Sequence, residues 1–115
     1  MLSAKKLNHF RQLLEPRIAQ LERALAAAER EARASATKHA DPADQAASEY
    51  DRQALATKVA SMRHTLAGLR QALKALQEGR FGECADCSGE IESKRLEAIP
   101  WARYCIACQE SREQH

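Results

Sequence analysis

The chain has 115 residues, of which 44% are hydrophobic and 30% charged, and its formal net charge is +2 at pH 7. This length allows one compact domain or a short helical rod with an attached module. The weak charge argues against a protein that neutralises many phosphates, and the longest wholly apolar stretch, Ala24 to Ala28, is too short to cross a membrane.

The first residues, 1–6, lack the apolar core and the cleavage site of a signal peptide. We therefore expect a cytoplasmic protein that does not bind a membrane. Thiols stay reduced in that compartment, which favours metal binding over disulfide formation for the four cysteines of the chain.

Two series of apolar residues, spaced three and four residues apart, predict two long helices with a coiled-coil seam. The first series comprises Leu7, Phe10, Leu14, Ile18, Leu21, Leu25, Ala28 and Ala32. The second series comprises Leu55, Val59, Met62, Leu66, Leu69, Leu73 and Leu76. Pro16 predicts a kink or break in the first helix near Leu14, and Gly79 predicts the end of the second.

The two series fit an antiparallel hairpin within one chain. Facing residues of such a hairpin have numbers that add up to a constant. Leu7 and Leu76 give 83. Leu25 and Val59 give 84. The bend then falls near residue 42. A dimeric or trimeric coiled coil between chains is the alternative. The nearly constant sum of facing residue numbers and the residues at the expected bend favour the hairpin.

The sequence at the expected bend is typical of a helix start. Asp41 suits the N-cap, Pro42 the first helical position, and Asp44 the first turn, where the helix dipole favours a carboxylate. Two arms of about 35 residues would make a rod on the order of 50 Å long at ~1.5 Å per residue. Small alanines at the seam near the bend predict a slim tip.

The four cysteines stand in two Cys-x-x-Cys pairs, Cys84 with Cys87 and Cys105 with Cys108, separated by 17 residues. This spacing predicts one tetrahedral zinc ion held by four thiolates. Four protein ligands leave no open coordination position, so the predicted zinc is structural rather than catalytic.

We expect the chain to divide into a coiled-coil hairpin, residues 1–78, and a zinc module with a C-terminal helix, residues 79–115. The overall fold class is therefore mainly α. Phe81, Trp101 and Tyr104 lie beside the cysteines in the sequence. They predict a small core around the metal, and stacking on nucleic-acid bases is the alternative.

With these motifs in place, the chain resembles the DksA/TraR family of bacterial regulators that bind RNA polymerase. Residues 41–46, Asp-Pro-Ala-Asp-Gln-Ala, are similar to the Asp-x-x-Asp-x-Ala tip motif of that family. Further likeness lies in residues 82–87, in Ile91, and in residues 95–100, which precede the second cysteine pair. The resemblance covers nearly the whole chain.

The resemblance implies a transcription regulator that is not an enzyme. Family members insert the hairpin through the secondary channel of RNA polymerase and alter the stability of promoter open complexes. By this likeness Asp44 is the functional carboxylate, with Asp41 and Ala46 supporting it, and the zinc module stays at the channel mouth. We expect a monomer without sequence-specific DNA binding.

The sequence departs from the family pattern at two places, and each departure leads to a prediction. Members that respond to guanosine tetraphosphate, the alarmone of the stringent response, use basic residues at positions that hold Gly68, Ile99 and Gln109 here. A polyphosphate needs cations, so we expect weak or absent synergy with this alarmone. Ser88 stands where the family usually has glycine, and we expect Gly89 to supply the positive φ of the turn.

Three alternatives stay open. The two aspartates could act only as helix caps. The cysteine module could be a zinc ribbon that binds nucleic acid, although the charge of the chain argues against this. The acidic tip could belong to a transcript-cleavage factor that holds magnesium together with the polymerase. The histidines, His9, His39, His64 and His115, have no obvious nucleophile or orienting acid, so the sequence predicts no enzyme.

Overall fold

The structure is a computed structural model that describes residues 3–35 and 42–114, although it does not describe the side chains of residues 42–47. Its helices are α1 (Ala4–Ser35), α2 (Pro42–Gln77), α3 (Ser93–Ala98) and α4 (Ile106–Glu113). Within these ranges, an isolated bridge between Glu83 and Glu90 is the sole strand-like pairing. The predicted mainly α class, with a two-helix hairpin and a C-terminal helix, is confirmed.

The chain folds as two compact units. The cysteine unit joins Met1–Ile18 with Ala67–His115, and the helical unit spans Ala19–Leu66. Each unit contains a part of α1 and a part of α2, so the long helices belong to both. The division at residue 78 that the sequence suggests stays a prediction. None of the described helices is both long and apolar enough to span a membrane.

In the helical unit, the antiparallel segments of α1 and α2 pack through the predicted seam. Ala28 is 5% exposed and Val59 is 7% exposed. At the edge of the seam, Arg63 donates to the Glu29 carboxylate across 2.6 Å. Exposed ion pairs contribute little to stability, so burial of the seam is the main stabilising term here.

In the cysteine unit, the hairpin helices and the cysteine module share one core. Its buried side chains are Phe10, Leu14, Ile18, Leu69, Ala72, Leu76, Cys84, Ile91, Leu96 and Pro100. Every residue of the two seam series is buried or half-buried. Ala72 lies outside those series and is buried as well, because α2 packs against α1 on one side and against the module on the other.

Several side-chain contacts attach the module to the hairpin helices of the cysteine unit. His9 Nε2 lies 3.0 Å from a carboxylate oxygen of Glu97 in α3. Trp101 packs against Gly68 of α2, where a Cβ atom would lie 3.7 Å from the indole ring. The guanidinium of Arg17 lies 5.0 Å from the centroid of the same ring. The Trp101 ring is therefore held between α1 and α2.

Of the kink or break predicted near Leu14, the break is wrong and the kink stays a prediction, whereas the predicted end of α2 at Gly79 is confirmed. α1 runs through Pro16 without interruption. Pro16 and Gln12 are both exposed, so the carbonyl that loses its helical partner can bond to water. Gly79 adopts a φ of 76°. The Arg80 amide donates to the Ala75 carbonyl at 2.8 Å, which closes the Schellman motif that ends α2.

Candidate metal centre and helical tip

The first cysteine pair sits on a tight turn that the backbone closes. The Ser88 amide donates to the Cys84 carbonyl at 3.0 Å, and the Gly89 amide lies 3.4 Å from the Cys87 sulfur. Ser88 itself adopts a φ of 61°. The expectation that Gly89 would supply the positive φ is therefore wrong. The amides of Ser88 and Gly89 both form hydrogen bonds within the turn. In a turn closed by these two bonds, the residue directly after Cys87 takes the left-handed conformation, and that residue is Ser88.

The second pair is positioned by the start of α4. Cys105 occupies the N-cap position, and Cys108 falls in the first turn. The Cys105 amide lies 3.4 Å from the Cys84 sulfur and donates to it. The Ile106 amide donates to a Glu92 carboxylate oxygen at 3.3 Å. These bonds fix the second pair opposite the first.

The four thiols meet at one point, as the spacing predicted. All four Sγ atoms lie within 4.8 Å of one another, and those of Cys87 and Cys105 are 3.9 Å apart. Thiolates at ~2.3 Å from a tetrahedral zinc ion would lie ~3.8 Å from each other. Disulfide sulfurs would be ~2.05 Å apart, and all four cysteines are free. The cluster therefore fits one closed zinc site.

The pKa values of the clustered thiols indicate that a cation is needed for all four to ionise. Hydrogen bonds from backbone amides, that of Cys87 first and that of Cys105 next, outweigh burial and lower the pKa of the Cys84 thiol to about 6. Hydrogen bonding to the Cys105 sulfur, and then to that of Cys84, raises the pKa of the Cys108 thiol to about 12. Four thiolates this close repel one another, so the full set ionises at neutral pH only around a metal ion.

An ion pair that the sequence did not predict ties α4 to the first turn. Arg112 donates to both carboxylate oxygens of Asp86, at 2.7 Å and 2.9 Å. Its guanidinium holds the pKa of Asp86 below the usual range, and it also lies 4.2 Å from the Tyr104 ring centroid. Asp86 and Arg112 are 26 positions apart in the sequence, which explains why no helical periodicity signals this pair.

The aromatic residues of the module contact protein groups rather than forming an open stacking platform. Phe81 packs on Phe10 with ring centroids 4.9 Å apart. Tyr104 is covered by Arg112, and its carbonyl accepts a hydrogen bond from Arg95 at 3.0 Å. Phe81, Trp101 and Tyr104 are each half-buried. These contacts favour the predicted small core over base stacking.

Replacing Ser88 with glycine is expected to stabilise the module. A non-glycine residue with positive φ carries local strain, which glycine removes at some cost in unfolded-state entropy. We expect a net gain of about 0.5–1 kcal/mol in the free energy of unfolding of the zinc-loaded protein, measured by chemical denaturation. Ser93→Gly is the matched control, because Ser93 is the first residue of α3 and does not adopt a positive φ. An equal gain in both variants would contradict this account.

The predicted tip residues are placed only in part. α2 begins at Pro42, as the turn chemistry predicted. Asp41 lies outside the described residues. Asp44 and Ala46 lie in the first turns of α2, but their side chains are not described. Their functional roles stay predictions.

The three positions matched to alarmone-binding cations offer no positive charge. Gly68 faces Trp101. Ile99 is half-buried. The Gln109 amide donates to Glu113 at 3.1 Å. None of the three therefore supplies a cation for a phosphate.

Comparisons with known proteins agree with this architecture. The family model described as the prokaryotic dksA/traR C4-type zinc finger matches residues 79–114, a range that contains all four cysteines. It points, together with their clustering, to zinc as the cofactor. The RNA polymerase-binding transcription factor DksA of Escherichia coli (strain K12) is 31% identical over 108 residues, which are 94% of this chain and 72% of that protein. An uncharacterized protein of Aquifex aeolicus is 44% identical over 50 residues, and the match spans only 34% of its length.

Solved structures extend the similarity to the fold. Transcription factor DksA2 from Pseudomonas aeruginosa superposes with a TM-score of 0.84 at 28% identity, over 98% of this chain and 89% of that one. The RNA polymerase binding protein and transcriptional regulator Dks from Chlamydia trachomatis superposes with a TM-score of 0.62 at 19% identity, over 99% and 94% of the two chains. The second likeness concerns the fold alone.

Proposed function

The chain belongs to the DksA/TraR family, and on that premise we propose that it is a transcription regulator that binds RNA polymerase. The end of the helical hairpin enters the secondary channel and changes the stability of promoter open complexes. The zinc module, held together by Cys84, Cys87, Cys105 and Cys108, stays at the channel mouth. The protein works in the cytoplasm as a monomer, catalyses no reaction and requires no specific DNA sequence.

One observation carries this proposal. The similarity to Escherichia coli DksA extends over 94% of the chain and so includes both long helices as well as the cysteine module. A likeness confined to the zinc finger would support metal binding alone. A likeness over both parts supports a shared mode of action, in which the module fixes the base of the hairpin and the hairpin delivers its tip.

The chemistry of the tip rests on Asp44. Because α2 begins at Pro42, Asp44 falls in the first turn, where the positive end of the helix dipole favours the ionised carboxylate. A carboxylate delivered by a narrow helical tip acts on basic groups or on magnesium in the polymerase. By the likeness to the family motif, Asp41 and Ala46 support Asp44 in this role.

Asp44→Asn is expected to abolish the effect on open-complex lifetimes while the protein still binds core RNA polymerase. The substitution removes the charge and keeps the shape of the side chain, and in the first turn of α2 it costs only the favourable interaction of the carboxylate with the helix dipole. The measurements are co-purification with core polymerase and the decay of promoter complexes with wild type and variant. Asp51→Asn is a matched control, because Asp51 is an exposed aspartate of the same helix. If the Asp44→Asn variant is as active as wild type, the tip aspartates act only in helix capping and the proposed role of Asp44 is wrong.

Two further assays decide between the proposal and its rivals. Cleavage of RNA in backtracked complexes would identify a transcript-cleavage factor. Salt-dependent binding to free DNA would identify a nucleic-acid-binding zinc ribbon. Guanosine tetraphosphate added to the lifetime assay is expected to change the result little, because Gly68, Ile99 and Gln109 supply no cation.

A further inference from the structure

A cleft of about 460 Å³ lies inside the cysteine unit, between α2 and the cysteine module. We name it the basic cleft after the three cations on its walls, which are Lys74, Arg80 and Arg103. Alanines and one aromatic side chain form the apolar part of its lining, namely Ala72, Ala75, Ala85, Ala102 and Trp101. Neither the zinc site nor the hairpin tip accounts for this arrangement.

Two of the three cations have no carboxylate partner among residues 3–35 and 48–114. Lys74 and Arg103 are exposed and form no ion pair there. The Arg103 guanidinium lies 5.7 Å from the centroid of the Tyr104 ring. It attracts the Asp86 carboxylate electrostatically but forms no hydrogen bond to it. Arg80 donates to Glu78 at 2.5 Å. The cleft thus carries two cations, Lys74 and Arg103, that no carboxylate among those residues holds in an ion pair.

The lining also limits what the cleft can bind. Glu83 lies on the wall and Cys84, one of the thiolates of the metal cluster, lies behind it. These negative groups weaken the attraction of a densely charged polyanion such as a nucleic-acid backbone. Isolated carboxylates fit better, since each can pair with Lys74 or form two parallel bonds to Arg103. The alanines and Trp101 would accept apolar side chains between those carboxylates.

We propose that the basic cleft binds an acidic segment of a protein partner, and, resting on the proposed function, that this partner is RNA polymerase. The cleft then provides a second contact that is independent of the tip. All of its residues belong to the cysteine unit, whereas Asp41, Asp44 and Ala46 do not. Binding through the cleft and the effect of the tip on open complexes are therefore separable by mutation.

The test is the affinity of full-length zinc-loaded protein for core RNA polymerase at low and moderate salt. The double variant Lys74→Gln/Arg103→Gln is expected to bind at least about tenfold more weakly at low salt, with a shallower salt dependence. The matched control Lys5→Gln/Lys94→Gln removes the same charge from exposed positions that do not line the cleft. Zinc content and melting temperature must be unchanged in both variants.

The outcomes separate this inference from the proposed function. If wild type fails to bind polymerase, the proposed function is wrong. If wild type binds and the cleft variant binds equally well, or if the control variant loses as much affinity, only the basic cleft proposal is overturned.

A second measurement identifies the chemistry of the ligand. The chain contains 1 tryptophan, Trp101, which lines the cleft, so its fluorescence reports on occupancy. A short peptide of glutamate and leucine residues is expected to give a saturable change that the cleft variant loses. Saturable binding of inorganic pyrophosphate or of a single-stranded oligonucleotide, with no response to the peptide, would replace the acidic protein segment with a phosphate ligand and overturn the proposal.

Discussion

Replacing Cys84 with serine is expected to abolish zinc binding and to unfold the cysteine module. Cys84 is 1% exposed, and its sulfur accepts a hydrogen bond from the Cys105 amide. A serine hydroxyl stays protonated at neutral pH and is a poor zinc ligand, so the closed four-thiolate site is lost. Zinc binding in small modules contributes on the order of 10 kcal/mol to folding, because such a module buries too little apolar surface to fold alone.

The loss should not be uniform along the chain. The helical unit, Ala19–Leu66, has buried residues of its own, Ala28 and Val59 among them. We expect it to keep its helical structure after zinc is lost. The base of the hairpin should loosen instead, because Phe10 and Leu14 share their core with Ile91 and Leu96 of the module.

Zinc content, far-ultraviolet circular dichroism and Trp101 fluorescence measure these effects. Chelation of wild-type zinc should reproduce the spectra of Cys84→Ser, and added zinc should reverse the change in wild type alone. Ser111→Ala, at an exposed hydroxyl in α4, serves as a neutral control. One zinc ion per chain in Cys84→Ser, with a native Trp101 spectrum, would contradict the assignment.

The sequence predicts the hairpin well because its seam is encoded locally. Steps of three and four residues specify which side of each helix is buried, and the constant sum specifies which residues face each other. Ala28 and Ala32 are small and only weakly hydrophobic, yet they too fall at seam positions that are buried or half-buried. The zinc cluster is equally predictable, since thiolate geometry admits few spacings.

What the sequence did not predict depends on contacts between distant segments. Ala72 is buried because α2 packs against both α1 and the module. The module has no regular spacing of apolar residues from which this second contact could be predicted. The pairs of His9 with Glu97 and Asp86 with Arg112 join residues that are 88 and 26 positions apart. The expected break at Pro16 was wrong because exposure of the ring and of the freed carbonyl makes the missing bond tolerable. Local propensity could not reveal that exposure.

Phe10→Ala is expected to cost about 3–5 kcal/mol of unfolding free energy, because it removes a large buried ring and leaves a cavity. Phe10 is 2% exposed. Its ring touches Phe81 at a centroid distance of 4.9 Å, which joins α1 to the segment that leads into the first cysteine pair. The variant should therefore also release zinc to a chelator faster than wild type, although no metal ligand is changed.

The matched control for this substitution is Tyr50→Ala, since Tyr50 is an aromatic residue that is 75% exposed. Removing it should change stability by no more than about 0.5 kcal/mol. Phe10→Leu refills much of the space and should restore most of the loss. Chemical denaturation of the zinc-loaded proteins and the rate of zinc transfer to a chelator provide the two readouts. If Phe10→Ala loses less than about 1 kcal/mol, or if its zinc leaves no faster than that of Tyr50→Ala, the Phe10–Phe81 contact does not support the metal module, and the module is held on the hairpin by its other contacts.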